Sequence, residues 1–316
     1  MRLATNFATT SKMSWSGNSE TPLKSSLVLV FLKLLSWLPL GASRALGRSL
    51  GRLIIGFNLQ PIRVARINLA LCYPQLSSEQ VEALGRERML HLGQALCETP
   101  RLWRKGNPWL DKKIVAIEGQ DHLQAALAND RGTILIIPHQ GNWEVIGLWI
   151  SKQTAMTSLY EPPKMAVMEH YIKSSRERAG ATLVPTNVRG VAALIKALKR
   201  GELTAILPDQ QPPAVSGDFA PIFGVPTQTM TLVHNLLQRS GSQAILCTAL
   251  RVPGGWKMVF MPASEDIYND DQTTSLLAMN QGVESIVALA PNQYQWEYKR
   301  FRARPDGLPD IYPHGT

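Results

Sequence analysis

Cysteine is scarce in this chain: three in 316 residues, at Cys72, Cys97 and Cys247. They are scattered, form no Cys-x-x-Cys pair and have no histidine cluster beside them. That argues against a zinc site or a disulfide framework and favours a reducing compartment. Long apolar runs are also missing. Residues 27–40 are apolar except for Lys33 and Ser36, but Pro39 interrupts them, and the run falls short of the ~20 residues of a spanning helix. There is no internal repeat and no low-complexity block.

What is present is a globular composition, with 45% apolar residues, 18% charged residues and a net charge of +9. Such a chain suits one large domain, or a domain with an appendage. Excess positive charge on a fairly apolar protein fits an anionic partner such as phospholipid, an acidic protein or nucleic acid. The last is not expected, because no nucleic-acid-binding motif occurs and the arginines cluster beside apolar sequence rather than among stacking aromatics.

Those arginines define the N-terminal region. Arg44, Arg48 and Arg52 recur every fourth residue and make one stripe on a helix, with Leu46, Leu50, Ile54 and Ile55 largely on other faces. The stripe reads as a membrane contact or as a solvated helix face. Residues 27–46 either span the bilayer, by borrowing Gly41 to Leu46, or lie in its interface. A cleaved signal peptide is a third reading, against which the flanking arginines favour retention. With Arg63 and Arg66 following, the positive-inside bias puts the remainder on the cytoplasmic side. The expected division is a disordered leader over 1–25, a membrane anchor of interfacial helices over 26–58 and one large domain over 59–312.

After short helices between 61 and 111, strands and helices alternate. Strands are predicted at 133–137, 203–207, 244–248 and 256–260, with weaker ones at 156–160 and 182–184. Helices are predicted at 121–128, 142–153, 164–178, 189–200, 229–240 and 273–289. This pattern predicts an α/β fold with a central, mostly parallel sheet flanked by helices. Reactive groups in such sheets collect at the carboxyl ends of strands. His139-Gln140-Gly141-Asn142-Trp143-Glu144 and Pro208-Asp209-Gln210 stand there.

If His139 lies in the loop and a helix starts near Asn142 as its N-cap, Glu144 falls in the first turn and its carboxylate can reach a ring nitrogen of His139. The other nitrogen could then take a proton from a hydroxyl. Alternatively, Glu144 merely favours a helix N-terminus and His139 is a turn residue. A metal held by His139, Glu144 and Asp209 is a weaker possibility.

Pro138-His139-Gln140-Gly141-Asn142-Trp143-Glu144 resembles the His-x4-Asp/Glu block of the lysophospholipid-acyltransferase superfamily, in particular its bacterial lipid A late-acyltransferase branch. Further blocks follow in family order over about residues 60–312: Arg66-x-Asn68-Leu69-x-Leu71-Cys72-Tyr73-Pro74, Leu207-Pro208-Asp209-Gln210, Phe223-Gly224-Val225-Pro226 and Ala290-Pro291-x-Gln293-Tyr294-x-Trp296. The resemblance implies a membrane-associated acyltransferase at the cytoplasmic face of a bacterial inner membrane. The implied donor is acyl carrier protein, the acceptor a lipid A precursor, and no cofactor is used. His139 would be the base and Glu144 its support, with Arg176, Arg178 and Asp209 serving substrate or oxyanion. Another lipid or glycolipid acceptor, or a non-catalytic lipid-binding protein, are the alternatives. Gly47-Arg48-Ser49-Leu50-Gly51 spells a nucleophile elbow, but no strand precedes it.

Overall fold

The computed structural model describes residues 22–163 and 166–313. Most of the expected leader lies outside the described residues, and 22–25 already belong to the first helix. Four helices lead: α1 (Pro22–Trp37), α2 (Leu40–Gly56), α3 (Gln60–Cys72) and the long α4 (Ser78–Lys105). Short α5 (Asn107–Asp111) precedes an alternating body: β1 (Ile114–Glu118), α6 (Gln120–Leu127), β2 (Thr133–Ile136), α7 (Glu144–Ile150), β3 (Met156–Tyr160), α8 (Ala166–Arg178), β4 (Ala181–Pro185), α9 (Val188–Lys199) and β5 (Leu203–Ile206). The hairpin β6 (Gly217–Ile222) and β7 (Val225–Met230), then α10 (Leu232–Ser240), β8 (Gln243–Val252), β9 (Gly255–Pro262) and α11 (Gln272–Ala288) complete it.

Seven strands form one sheet in the order β1-β9-β8-β2-β5-β3-β4. Neighbours run parallel except β8 and β9, so the expected mostly parallel α/β sheet is present. All of β2 is buried, which is why its sequence is a continuous apolar run rather than an alternation. Its side chains still alternate between faces. Ile134 and Ile136 join a core with Leu194, Val233 and Val287, while Leu135 and Ile137 join a second with Val145, Trp149 and Trp256.

Three strands, β1, β6 and β7, differ from expectation. β1 was not foreseen: its short apolar run, Ile114 to Ile117, forms a half-exposed edge strand whose pairing with β9 only the sheet order reveals. Residues 229–230, predicted to open a helix, instead end β7. The hairpin turns at Phe223 and Gly224, both at positive φ (50° and 73°), the geometry a two-residue turn needs. The Phe223 ring packs 5.5 Å from those of Tyr73 and Trp296, which explains an apolar residue at a turn tip. Asn68 completes this corner by donating to the carbonyls of Trp296 and Tyr298 at 2.7 and 2.8 Å.

The N-terminal region departs most from the helical-wheel reading. α2 lies against α4 so closely that a Cβ at Gly47, Gly51 or Gly93 would collide with the facing backbone, so the glycines of the elbow-like motif serve helix contact. The arginine stripe runs from a buried residue to an exposed one. Arg44, expected at the membrane, is buried, with 7% exposure: its Nε donates to Glu98 at 2.7 Å and its Nη atoms to the carbonyls of Val252 and Gly255. Arg48 is half-buried beside Gln94, and Arg52 is exposed. Arg44 turns inward because the Glu98 carboxylate of α4 and the carbonyls of the β8–β9 turn wait there, an arrangement invisible to periodicity. The outward face is apolar instead, with Leu46, Leu50, Leu53 and Phe57 exposed on and just beyond α2 and Leu27, Val30, Phe31, Leu34 and Trp37 on α1. Among the described residues no helix is long and apolar enough to cross a membrane.

Candidate active site

β2 and β5 are hydrogen-bonded neighbours, so the loops leaving their carboxyl ends meet, bringing residue 139 to residue 209. The ring Nδ1 of His139 lies 2.7 Å from Asp209 Oδ1, and its backbone N–H donates to Asp209 Oδ2 at 2.7 Å. Burial alone would raise the Asp209 carboxyl, but the adjacent His139 and its two hydrogen bonds hold it below the usual carboxylate range. An ionised carboxylate only accepts, so Nδ1 carries a proton, and in the neutral form of the ring the lone pair is on Nε2. Nε2 sits 3.2 Å from the Gln210 amide nitrogen, which also donates to Gln295 Oε1 at 3.0 Å. The Trp143 ring meets the imidazole edge-on at 4.8 Å.

The expected contact between Glu144 and His139 is not made. Glu144 does begin α7, but both its oxygens turn to other donors: Arg176 grips the carboxylate through Nε (3.2 Å) and Nη2, and Trp103 Nε1 donates at 3.1 Å. Asp209 already occupies the imidazole. Asn142 is also not a side-chain cap; its amide donates to Glu98 Oε1 and Thr99 Oγ1 at 3.1 and 3.2 Å. Of the two arginines, Arg176 stays at the site, its side chain 30% exposed, and its guanidinium lies 5.8 Å from the Tyr160 ring centre. Arg178 leaves it, donating instead to the Trp103 carbonyl at 2.6 Å.

Beside these groups opens a cavity of about 340 Å³. Ile137, Leu148, Ile172, Leu183 and Leu207 line it, and His139, Glu144 and Arg176 stand in its wall. Gly147 on α7 contributes no side chain, and a Cβ there would meet nothing within 4 Å. An apolar slot with a few convergent polar groups fits a lipid chain ending in a reactive carbonyl. Behind Asp209, the Tyr294 phenol is held well above its usual range by burial and then by the Asp209 charge. Trp103, Gln210, Gln295 and Tyr294 were not singled out from sequence for the site. Gln210 and Tyr294 belong to the resembling blocks, which was a usable signal; Trp103 lies in the last turn of α4 and gave none.

A family model described as bacterial lipid A biosynthesis acyltransferase matches residues 14–303. Among curated proteins, the lipid A biosynthesis palmitoleoyltransferase of Escherichia coli K12 is 31% identical over 274 residues, 84% of this chain and 87% of that protein. The lipid A biosynthesis lauroyltransferase of the same organism is 28% identical over 281 residues, covering 87% and 90%. A lipid A biosynthesis acyltransferase of Haemophilus influenzae is 26% identical over 323 aligned positions, covering 99% and 98%. Matched along nearly all of its described length, the chain belongs to the bacterial lipid A biosynthesis acyltransferases.

Proposed function

We propose that the protein transfers a fatty acyl group from an acyl carrier protein thioester to a hydroxyl of a 3-hydroxyacyl chain on a lipid A precursor, with His139 as general base. The observation that carries this reading is the Asp209-bound imidazole in the wall of an apolar cavity that also holds Arg176. The hydroxyl oxygen attacks the thioester carbonyl carbon as Nε2 takes its proton. The tetrahedral oxyanion forms beside Arg176, whose cation stabilises it. Collapse breaks the C–S bond, and the imidazolium returns its proton to the departing thiolate. No covalent enzyme intermediate is involved. Asp209 keeps the imidazole in the reactive tautomer and offsets its charge, while Glu144 is a positioning residue that aims Arg176. Gln210, donating to Nε2, holds the place the substrate hydroxyl takes.

Residues 26–58 dock the enzyme on the cytoplasmic face of the inner membrane, with the exposed apolar rows of α1 and α2 in the lipid interface. The palmitoleoyl and lauroyl names of the relatives belong to different chains, so family membership leaves the acyl length open.

The test is transfer by purified protein from acyl carrier protein thioester to a lipid A precursor, read by mass spectrometry as one added acyl chain. His139→Ala should lower turnover about 10²–10⁴-fold with the fold intact. Full transfer by a folded variant would sink the mechanism, and unchanged lipid A in cells lacking the protein would sink the acceptor.

A further inference from the structure

A second cavity, of about 720 Å³, shares no lining residue with the first. It opens at the corner joining α1 to α2, where Pro39, Leu40 and Gly41 face Val252, Pro253 and Gly254 between β8 and β9. Five cationic side chains line it, Arg44, Arg48, Arg101, Lys113 and Arg251, and no carboxylate does. Glu98, fully buried, pairs with both Arg44 and Arg251, so one negative charge faces two positive ones at the floor. His91 adds none to offset them: its Nδ1 lies 3.1 Å from Arg251 Nη1, and burial and then Arg251 keep the ring neutral. The outer cations have capacity to spare. Lys113 has no ion pair or side-chain hydrogen bond among the described residues, Arg48 makes one hydrogen bond of 3.3 Å to Gln94, and the buried Nε of Arg101 has no partner. A concentration of unneutralised guanidinium and ammonium groups, with a buried donor unsatisfied, is built for a polyoxygen anion.

The location narrows the source. Arg101 donates to the carbonyls of Trp37 and Leu38, so the cleft sits where the exposed apolar rows of α1 and α2 meet. We propose that this cleft binds the phosphate headgroup of an anionic membrane phospholipid, whose tails lie along α1 and α2. The inference rests on the membrane-docking reading above and adds to it a defined headgroup site, separate from the acyl cavity. It also reassigns the arginine stripe, since Arg48 reaches lipid through the cleft while Arg52 stands outside it.

The test is co-sedimentation of the full chain with phosphatidylcholine vesicles, with and without phosphatidylglycerol. It compares wild type, the pair Arg48→Gln and Lys113→Gln, and a control pair on α9, Lys196→Gln and Lys199→Gln, which removes the same charge at an exposed surface. Wild type should prefer the anionic vesicles. The cleft pair should lose that preference by about fivefold per charge while binding neutral vesicles as before, and the α9 pair should keep it within about twofold. Equal loss in both pairs would mean diffuse attraction and overturn the site. Binding to neither vesicle would overturn membrane docking itself. If inorganic phosphate raises the melting temperature of wild type but not of the cleft pair, and vesicles show no anionic preference, the site takes a soluble phosphate and the lipid assignment falls.

Discussion

Two carboxylates flank the loop from 139 to 144, and guanidinium groups hold both, yet they do different work. Glu98 has no exposed surface and accepts from Arg44, Arg251 and Asn142. Burial alone would raise its carboxyl, and the two arginines bring it below the usual range. Both its oxygens are used, so Glu98 joins α2, α4, β8 and the loop from 139 to 144 and keeps no free acceptor of its own. Glu144 is also buried, but its partner Arg176 keeps 30% of its side chain accessible, and both line the acyl cavity. The same ion pair is architecture when enclosed, and is free to meet a substrate when one member faces open space. Arg251 donates to the Gly141 carbonyl at 3.3 Å, so the enclosed cluster also supports the backbone that the open one depends on.

The sharpest way to break this comparison is to remove each acid in turn. Glu98→Gln strands two buried guanidinium groups and should cost about 3–5 kcal/mol of stability, read as a lower urea midpoint. Glu144→Gln should leave stability within about 1–2 kcal/mol, because Arg176 stays partly solvated, and should instead lower turnover. Equal destabilisation by the two would erase the distinction.

Within the site, Asp209→Asn and Glu144→Gln separate orientation of the base from placement of the cation. Asp209→Asn should reduce turnover about 10²-fold or more, because an amide can present its N–H to Nδ1 and select the wrong tautomer. It should also alter the pH–rate profile, whereas Glu144→Gln should lower the rate with the profile unmoved. The reverse pattern in steady-state kinetics would return Glu144 to the role the sequence suggested.

The smallest effect concerns His91, whose pKa is lowered to about 3 by burial first and the neighbouring Arg251 and Arg88 next. Below about 6.5 the unfolded chain binds a proton that the folded one refuses, so stability falls as pH drops from there towards 3. The slope approaches about 1.4 kcal/mol per pH unit. His91→Gln should flatten that slope between pH 6.5 and 4.5, above the range where the depressed carboxylates titrate. Urea midpoints over that window check it.

Much of the sheet was legible because its strands are buried on both faces and spell short apolar runs, as Thr133 to Ile137 do. β1 was not, although it spells Ile-Val-Ala-Ile, since it lies half exposed at the sheet edge, and the end of β7 was mistaken for a helix start because its pairing depends on the Phe223-Gly224 turn and not on pattern. At the site, His139 and Asp209 were recognised as separate loop residues at strand ends. Their contact was missed because the pairing of β2 with β5, across 70 residues of chain, is set by sheet order, and local spacing pointed to the nearer acid. Arg44 shows the same limit from the other side. A helical wheel reports which residues share a face, but which face is buried depends on what α4 and β8 bring to it.

The sequence by itself determined the α/β class, the loops that carry the chemistry, and the acyltransferase family, because these depend on residue type and local order. Only the tertiary structure decided which acid holds His139, which arginine enters the cavity, and that α2 turns Arg44 inward and its leucines outward. Those outcomes follow from contacts between segments far apart in the chain, where the choice of partner is made by burial and unsatisfied charge.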